Sequence, residues 1–285
     1  MSVVDSKLQA FGRLVREGTF VSVSDRAPGP LKVGVDLGTA NLVLSVVDVD
    51  NNPVAGATLH STVVRDGIVV DYIGAVNAVR KMKAEIEERL GQPLKYAATA
   101  IPPGIHSGST RAIGNVVEAA DFELVEIIDE PTAAARLLGV TDGAVVDVGG
   151  GTTGISVLKG GDVVAAFDEA TGGTHMTLVL AGARKISIAE AEAEKLDPKN
   201  ERDVFALVRP VIDKMATIVS GFLAKFPDVE TIHVVGGACS FTEFEAVLAK
   251  VTGRRVIKPV EPLLVTPLGI AMFDSGALPH AGGRP

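Results

Sequence analysis

Two hydrophobic periods alternate along the chain. Residues 2–16 carry Val4, Leu8, Phe11 and Val15 at helical spacing, with Asp5, Lys7, Arg13 and Arg16 elsewhere, which predicts a short amphipathic helix. Periodicity is lost over 17–30, a stretch of linker composition. From Leu31 short apolar runs take over. Residues 32–36, 42–49 and 54–64 predict strands, with a turn at Asp50, Asn51, Asn52 and Pro53. Residues 66–72 lead into a helix over 73–90. A buried strand over 96–101 stops at Pro102 and Pro103, followed by a helix over 107–120, a strand over 123–128 and a helix over 130–139.

The same order returns near Gly143. A strand reaches Asp147, a glycine turn follows, and residues 155–158 run back as a second strand. Residues 163–169 supply a third strand, and Gly172, Gly173 and Thr174 start a helix. Helices are predicted over 188–195 and 201–225, then a strand over 231–235. A turn at Gly236 and Gly237 leads to a helix over 241–247, capped by Ser240 or Thr242. One βββαβα unit echoes another, the mark of an internal duplication. The chain therefore divides into a helix and linker (1–30), a first lobe (31–142), a second lobe (143–275) and a Gly/Pro-rich tail (276–285) expected to be disordered.

Composition narrows the class. The chain has 285 residues, 47% hydrophobic and 22% charged, which is globular. Aromatics are 4% with no Trp, so the core must be aliphatic, as in close-packed α/β sheets. A net charge of −8 argues against nucleic acid as a partner. No apolar run approaches the roughly 20 residues of a transmembrane helix, and the N-terminus lacks a signal-peptide pattern. The single cysteine, Cys239, fits a reducing cytosol and reads first as a packing residue. His60, His106, His175, His233 and His280 show no metal-ligand spacing.

The chemistry lies in two matched hairpins. In the first, an apolar strand delivers Asp36, followed by Gly38, Thr39, Ala40 and Asn41. In the second, a strand delivers Asp147, followed by Gly149, Gly150, Gly151 and Thr152. Glycine permits the tight turns and the close backbone approach that expose N–H groups to an anion. Two facing hairpins could hold a polyphosphate, with Asp36 and Asp147 anchoring Mg²⁺ through water. Taken singly, each Asp is also an ordinary turn-capping residue at a strand end. The matching of the pair favours a site.

These motifs resemble those of the actin/hexokinase/Hsp70 superfamily. The segment from Asp36 to Asn41 looks like the first phosphate loop of bacterial actins and Hsp70s, and that from Asp147 to Thr153 like the second. Asp129, Glu130 and Pro131 resemble the start of a connecting helix. Gly236, Gly237, Ala238 and Ser240 resemble an adenosine loop, and Thr266 to Ala271 a second connecting segment. The closest resemblance within the superfamily is to the ethanolamine-utilisation chaperone-like proteins, short Hsp70-like proteins encoded with bacterial microcompartments.

The resemblance implies a two-lobed actin-like ATPase fold, α/β, made of duplicated ribonuclease H-like domains with reduced peripheral subdomains. It implies ATP or ADP with Mg²⁺ as ligands. Glu130 would orient the attacking water beside Asp36 and Asp147, although an acid in a first helical turn is also what the helix dipole favours. Gly172, Gly173, Glu194 and Lys195 would join the nucleotide site. The Hsp70 catalytic lysine has no match, so any ATPase activity is expected to be weak. The implied role is an ATP-driven chaperone-like switch or assembly factor, with a bacterial-actin-like filament as the alternative and a metabolite kinase as a third reading. Implied partners are the microcompartment shell, ethanolamine-pathway enzymes or further copies of the chain, and the implied location is the cytoplasm, within or on a microcompartment. In that setting the helix over 2–16 reads equally as a shell-docking peptide or as a helix folded back on its own lobe.

Overall fold

The computed structural model describes residues 2–65, 67–274 and 276. In the first half, β1 (Lys32–Leu37), β2 (Asn41–Val47) and β3 (Pro53–His60) form an antiparallel meander. After it come a small hairpin, β4 (Val64–Arg65) and β5 (Ile68–Val69), and then α2 (Tyr72–Leu90), β6 (Tyr96–Ile101), α3 (Ser107–Ala119), β7 (Glu123–Asp129) and α4 (Glu130–Leu138). The second half repeats the plan with β8 (Gly143–Val148), β9 (Thr153–Lys159) and β10 (Asp162–Glu169). Helices α5 (Gly173–Arg184), α6 (Ile188–Leu196) and α7 (Glu201–Leu223) follow, then β11 (Thr231–Val235), α8 (Phe244–Thr252), β12 (Arg255–Ile257) and α9 (Val265–Ala271).

The two large sheets have the same order, β3-β2-β1-β6-β7 and β10-β9-β8-β11-β12. In each, the central strand pairs antiparallel with the second and parallel with the fourth. One face of the first sheet packs on α2 and α3, burying Val35, Leu44, Val79, Ile86 and Val116. One face of the second packs on α5, α7 and α8, burying Val146, Ile155, Met176, Ile212 and Phe244. The faces turned toward each other are filled by α4, against β8 and β9, and by α9, against β1 and β2. These two helices meet so closely that a Cβ on Gly269 would run into the Ala133 carbonyl. That contact is why a glycine stands in the middle of α9. The last helix of the range 143–275 thus packs on the first lobe.

The N-terminal helix is α1 (Val3–Glu17), opened by a capping box between Ser2 and Asp5 and closed by Gly18 in the left-handed conformation. It lies on its own chain. Leu8 and Phe11 are fully buried, and the Phe11 ring covers β3 at Gly56, where any Cβ would strike it. Lys7 Nζ donates to Asn51 O at 2.8 Å, and Arg16 Nη1 meets Glu261 Oε1 at 2.5 Å. Of its two expected destinations, the structure shows the folded-back one.

Two boundaries also move. Strand β3 ends at His60, and the apolar run to Val64 turns into the β4–β5 hairpin across Gly67. Helix α8 starts at Phe244, with neither Ser240 nor Thr242 as cap; residues 237–239 make a 3-10 turn instead. The expected disordered tail falls from 277 onward outside the described residues.

Candidate functional site

The tips of the β1–β2 and β8–β9 hairpins meet between the lobes. A Cβ on Gly150 would lie 3.0 Å from Ala40 Cβ, so a larger residue there would crowd the two tips. The second tip is a tight turn, with Gly149 N–H donating to Thr152 O at 2.9 Å. Both tips border a cleft of about 310 Å³. Asp36, Gly38, Thr39, Ala40 and Asn41 line one wall, and Asp147, Gly149, Gly150, Gly151 and Thr152 the other.

Glu130 enters the same cleft from the start of α4. Asp129 is the cap of that helix, its Oδ1 accepting Thr132 N–H at 3.0 Å. Helix capping therefore does not account for Glu130. The third carboxylate, Asp147, accepts Thr266 Oγ1–H at 2.5 Å from α9. Burial and the charge of Asp147 push Asp36 up to about 7. Burial pushes Asp147 up to about 6, against the pull of the Thr266 hydroxyl and with a further push from Asp168. Glu130 rises well above the usual carboxylate range, first through burial and then through Asp147, Asp36, Asp168 and Asp129. Among the described residues lining the cleft the only Lys or Arg is Lys195, which is engaged elsewhere.

Three sunken acids with no free Lys or Arg among the described residues lining the cleft fit a hard divalent cation. No three His, Cys, Asp or Glu among the described residues are spaced to ligate a metal directly. Asp36 and Asp147 are the residues that could hold such an ion through its water shell.

The cleft is further lined by Gly236, Gly237, Ala238, Ser240 and Phe241 after β11, and by Glu192, Lys195, Leu196, Pro198 and Glu201, from α6 to the start of α7. Gly236 takes φ +93°, and a Cβ there would collide with Asp147 Oδ1 and the Val148 carbonyl. Lys195 Nζ donates to Thr177 Oγ1 (2.7 Å), Glu192 Oε2 (2.7 Å) and Gly173 O (3.2 Å).

Two sequence-predicted residues are not brought to the cleft. Glu194 faces away and pairs with Arg184 Nε at 2.9 Å. On α6 the cleft-facing positions are 192, 195 and 196, and 194 falls between them on another face. Gly172 sits behind the second hairpin, where a Cβ would crowd the Gly149 and Gly150 carbonyls, while Gly173 lines the wall. The Gly173 and Thr174 amides donate to Gly149 O (2.9 Å) and Gly150 O (2.8 Å), so they brace the loop from behind. Glu192, Leu196 and Glu201, which line the cleft, were missed. The helical spacing of Glu192 to the predicted Lys195 was the one available signal.

The duplicated sheets, crossed connecting helices and facing glycine hairpins define a two-lobed actin-like ATPase fold. A family model described as MreB/Mbl protein matches residues 59–199. The crystal structure of MreB 5 of Spiroplasma citri bound to AMPPNP superposes with TM-score 0.72 at 17% identity, over 88% of this chain and 97% of that one, a likeness of fold alone. A nearer relative is the ethanolamine utilization protein EutJ of Salmonella typhimurium, 42% identical over 243 residues, 85% of each chain. The crystal structure of ethanolamine utilization protein EutJ from Carboxydothermus hydrogenoformans superposes with TM-score 0.89 at 49% identity, over 95% of this chain and 98% of that one. The chain belongs to the EutJ family.

Proposed function

We propose that this chain binds Mg-ATP and Mg-ADP in the cleft and serves as a nucleotide-dependent, chaperone-like switch or assembly factor in ethanolamine utilisation, in the cytoplasm and within or on a microcompartment. The observation that carries the reading is the pairing of Asp36 and Asp147 on facing glycine hairpins that touch at Gly150 and Ala40. In this reading the hairpin amides take the phosphates. When bound, Mg²⁺ neutralises charge that no Lys or Arg among the described residues near the acids can neutralise. The Gly236–Ser240 loop and Lys195 take the nucleoside. Glu130 orients water at the terminal phosphate, and without a cationic partner hydrolysis is slow. Closure of the lobes about α4 and α9 would carry the signal.

Calorimetric titration tests the site. The parent should bind Mg-ADP, and the double variant Asp36→Asn, Asp147→Asn should lose at least about a hundredfold in affinity while keeping its fold. Unchanged affinity in that variant would overturn the assignment. Glu130→Gln should bind as the parent does and hydrolyse about a hundredfold more slowly. A parent with no turnover is a nucleotide binder rather than an ATPase. The filament alternative draws on the MreB/Mbl match and predicts ATP-dependent pelleting of the purified protein.

A further inference from the structure

The loop at the nucleoside end of the cleft is held in shape by side chains outside it. Its first residue, Gly236, donates its N–H to Pro262 O at 2.9 Å, and Leu263 packs beneath Gly237 while lining the cleft. The far part is gripped by charge. Lys258, just after β12, points its ammonium at three successive carbonyls: Phe241 O at 2.6 Å, Cys239 O at 3.2 Å and Ser240 O at 3.5 Å. Glu201, the first residue of α7, accepts the Thr242 N–H at 2.6 Å. The Thr242 bond holds the Glu201 carboxyl below its usual range, and the Lys258 charge adds to this.

The loop is thus strung between a cation that takes its carbonyls and an anion that takes its amide. Both are needed on electrostatic grounds. The 3-10 turn at 237–239 ends with carbonyl dipoles pointing the same way, which a nearby ammonium satisfies. Thr242 N–H opens the approach to α8, where no side chain of the loop caps it. Lys258 does not line the cleft, so it can affect a ligand only through the loop. Ser240 and Phe241, whose carbonyls it holds, do line the cleft.

We infer that Lys258, acting with Glu201 on the same loop, is a positioning residue for the nucleoside end of the cleft, shaping residues 239–242 to receive a nucleoside and taking no part in holding phosphates. This rests on the nucleotide reading above. The consequence is a split between ligands with and without a nucleoside. Lys258→Met should weaken Mg-ADP about tenfold, the effect of losing one charge-assisted anchor. Mg-tripolyphosphate, measured by competition against a fluorescent ADP analogue, should bind as it does to the parent. Lys258→Arg should recover most of the ADP affinity, because a guanidinium can also serve several carbonyls. Melting curves confirm that each variant is folded at the assay temperature. An ADP affinity in Lys258→Met equal to the parent's overturns the inference, as does a loss shared in equal proportion by tripolyphosphate. If the parent itself binds no Mg-ADP, the nucleotide reading fails and the inference with it.

Discussion

The two lobes carry the same strand order and differ in how their fourth strands end. In the first, β6 runs into Pro102 and Pro103, residues with no N–H to offer. In the second, β11 runs into Gly236 and Gly237, where φ +93° lets the backbone turn beside Asp147. The connecting helices differ in the same way. Glu130 stands before Pro131 at the start of α4, and Thr266 before Pro267 at the start of α9. Duplication supplies two hairpins and two aspartates. Single residues then break the symmetry, so that one end of the cleft carries a glycine loop and one helix supplies an acid.

The outer strands differ most. β3 is covered by α1, whereas Val163 and Val164 on β10 are exposed. Phe11→Ala should therefore cost about 3–5 kcal/mol, because the vacated space on Gly56 cannot refill. Val164→Ala should change stability by no more than about 0.5 kcal/mol. Urea unfolding of both variants decides it. Equal, small effects would mean that α1 rests on the lobe without belonging to its core.

Much of this was legible in the sequence, and for identifiable reasons. The strands around Asp36 and Asp147 are short apolar runs broken by glycine, and pattern alone places them. Glu130 was found because its neighbours Asp129 and Pro131 match a known helix start. The fate of α1 was not legible: Leu8 and Phe11 form the same stripe whether they meet β3 or another protein. Glu194 was misplaced because choosing a face of a nine-residue helix needs its neighbours, here Arg184 on one side and Thr177 on the other. Lys258 and Glu201 were invisible as loop anchors, since their partners are backbone groups, which carry no residue identity.

The matched aspartates offer a second comparison. Asp147 receives the Thr266 hydroxyl, and no described residue gives Asp36 a hydrogen bond; their values are about 6 and about 7. Thr266→Val should raise Asp147 toward Asp36, as read from carboxyl carbon shifts. The stability consequence has a definite sign. An ordinary Asp titrates near 3.9 when unfolded, so between about 4 and 7 the folded chain holds a proton on Asp36 that the unfolded chain has released. Without nucleotide or Mg²⁺, melting temperature should rise as pH falls from 7.5 to 5.5, and Asp36→Asn should flatten much of that slope. A parent whose stability is flat across this range would show that water reaches Asp36 and relieves its burial.

The smallest effect sits where the lobes look most alike. Across the first sheet Gly34, Ser45 and Gly56 stand in line, and across the second Val145, Ser156 and Ala166. Both serines are fully buried. Ser45 Oγ donates to Pro267 O on α9 at 2.5 Å, whereas Ser156 Oγ has no hydrogen-bond partner among the described residues. A made bond and an unmade one respond oppositely to removal of the hydroxyl. Ser45→Ala should cost about 1 kcal/mol, and Ser156→Ala should be neutral or gain up to about 1 kcal/mol. Repeating both measurements with Mg-ADP sharpens the contrast. Pro131 occupies on α4 the place that Pro267 occupies on α9, so lobe closure that pressed α4 closer to β9 than it already lies would give Ser156 the bond Ser45 already has. Ser156→Ala would then weaken Mg-ADP binding slightly while leaving the free protein no less stable. An equal loss at both serines without nucleotide would show instead that the second lobe already makes its version of the bond.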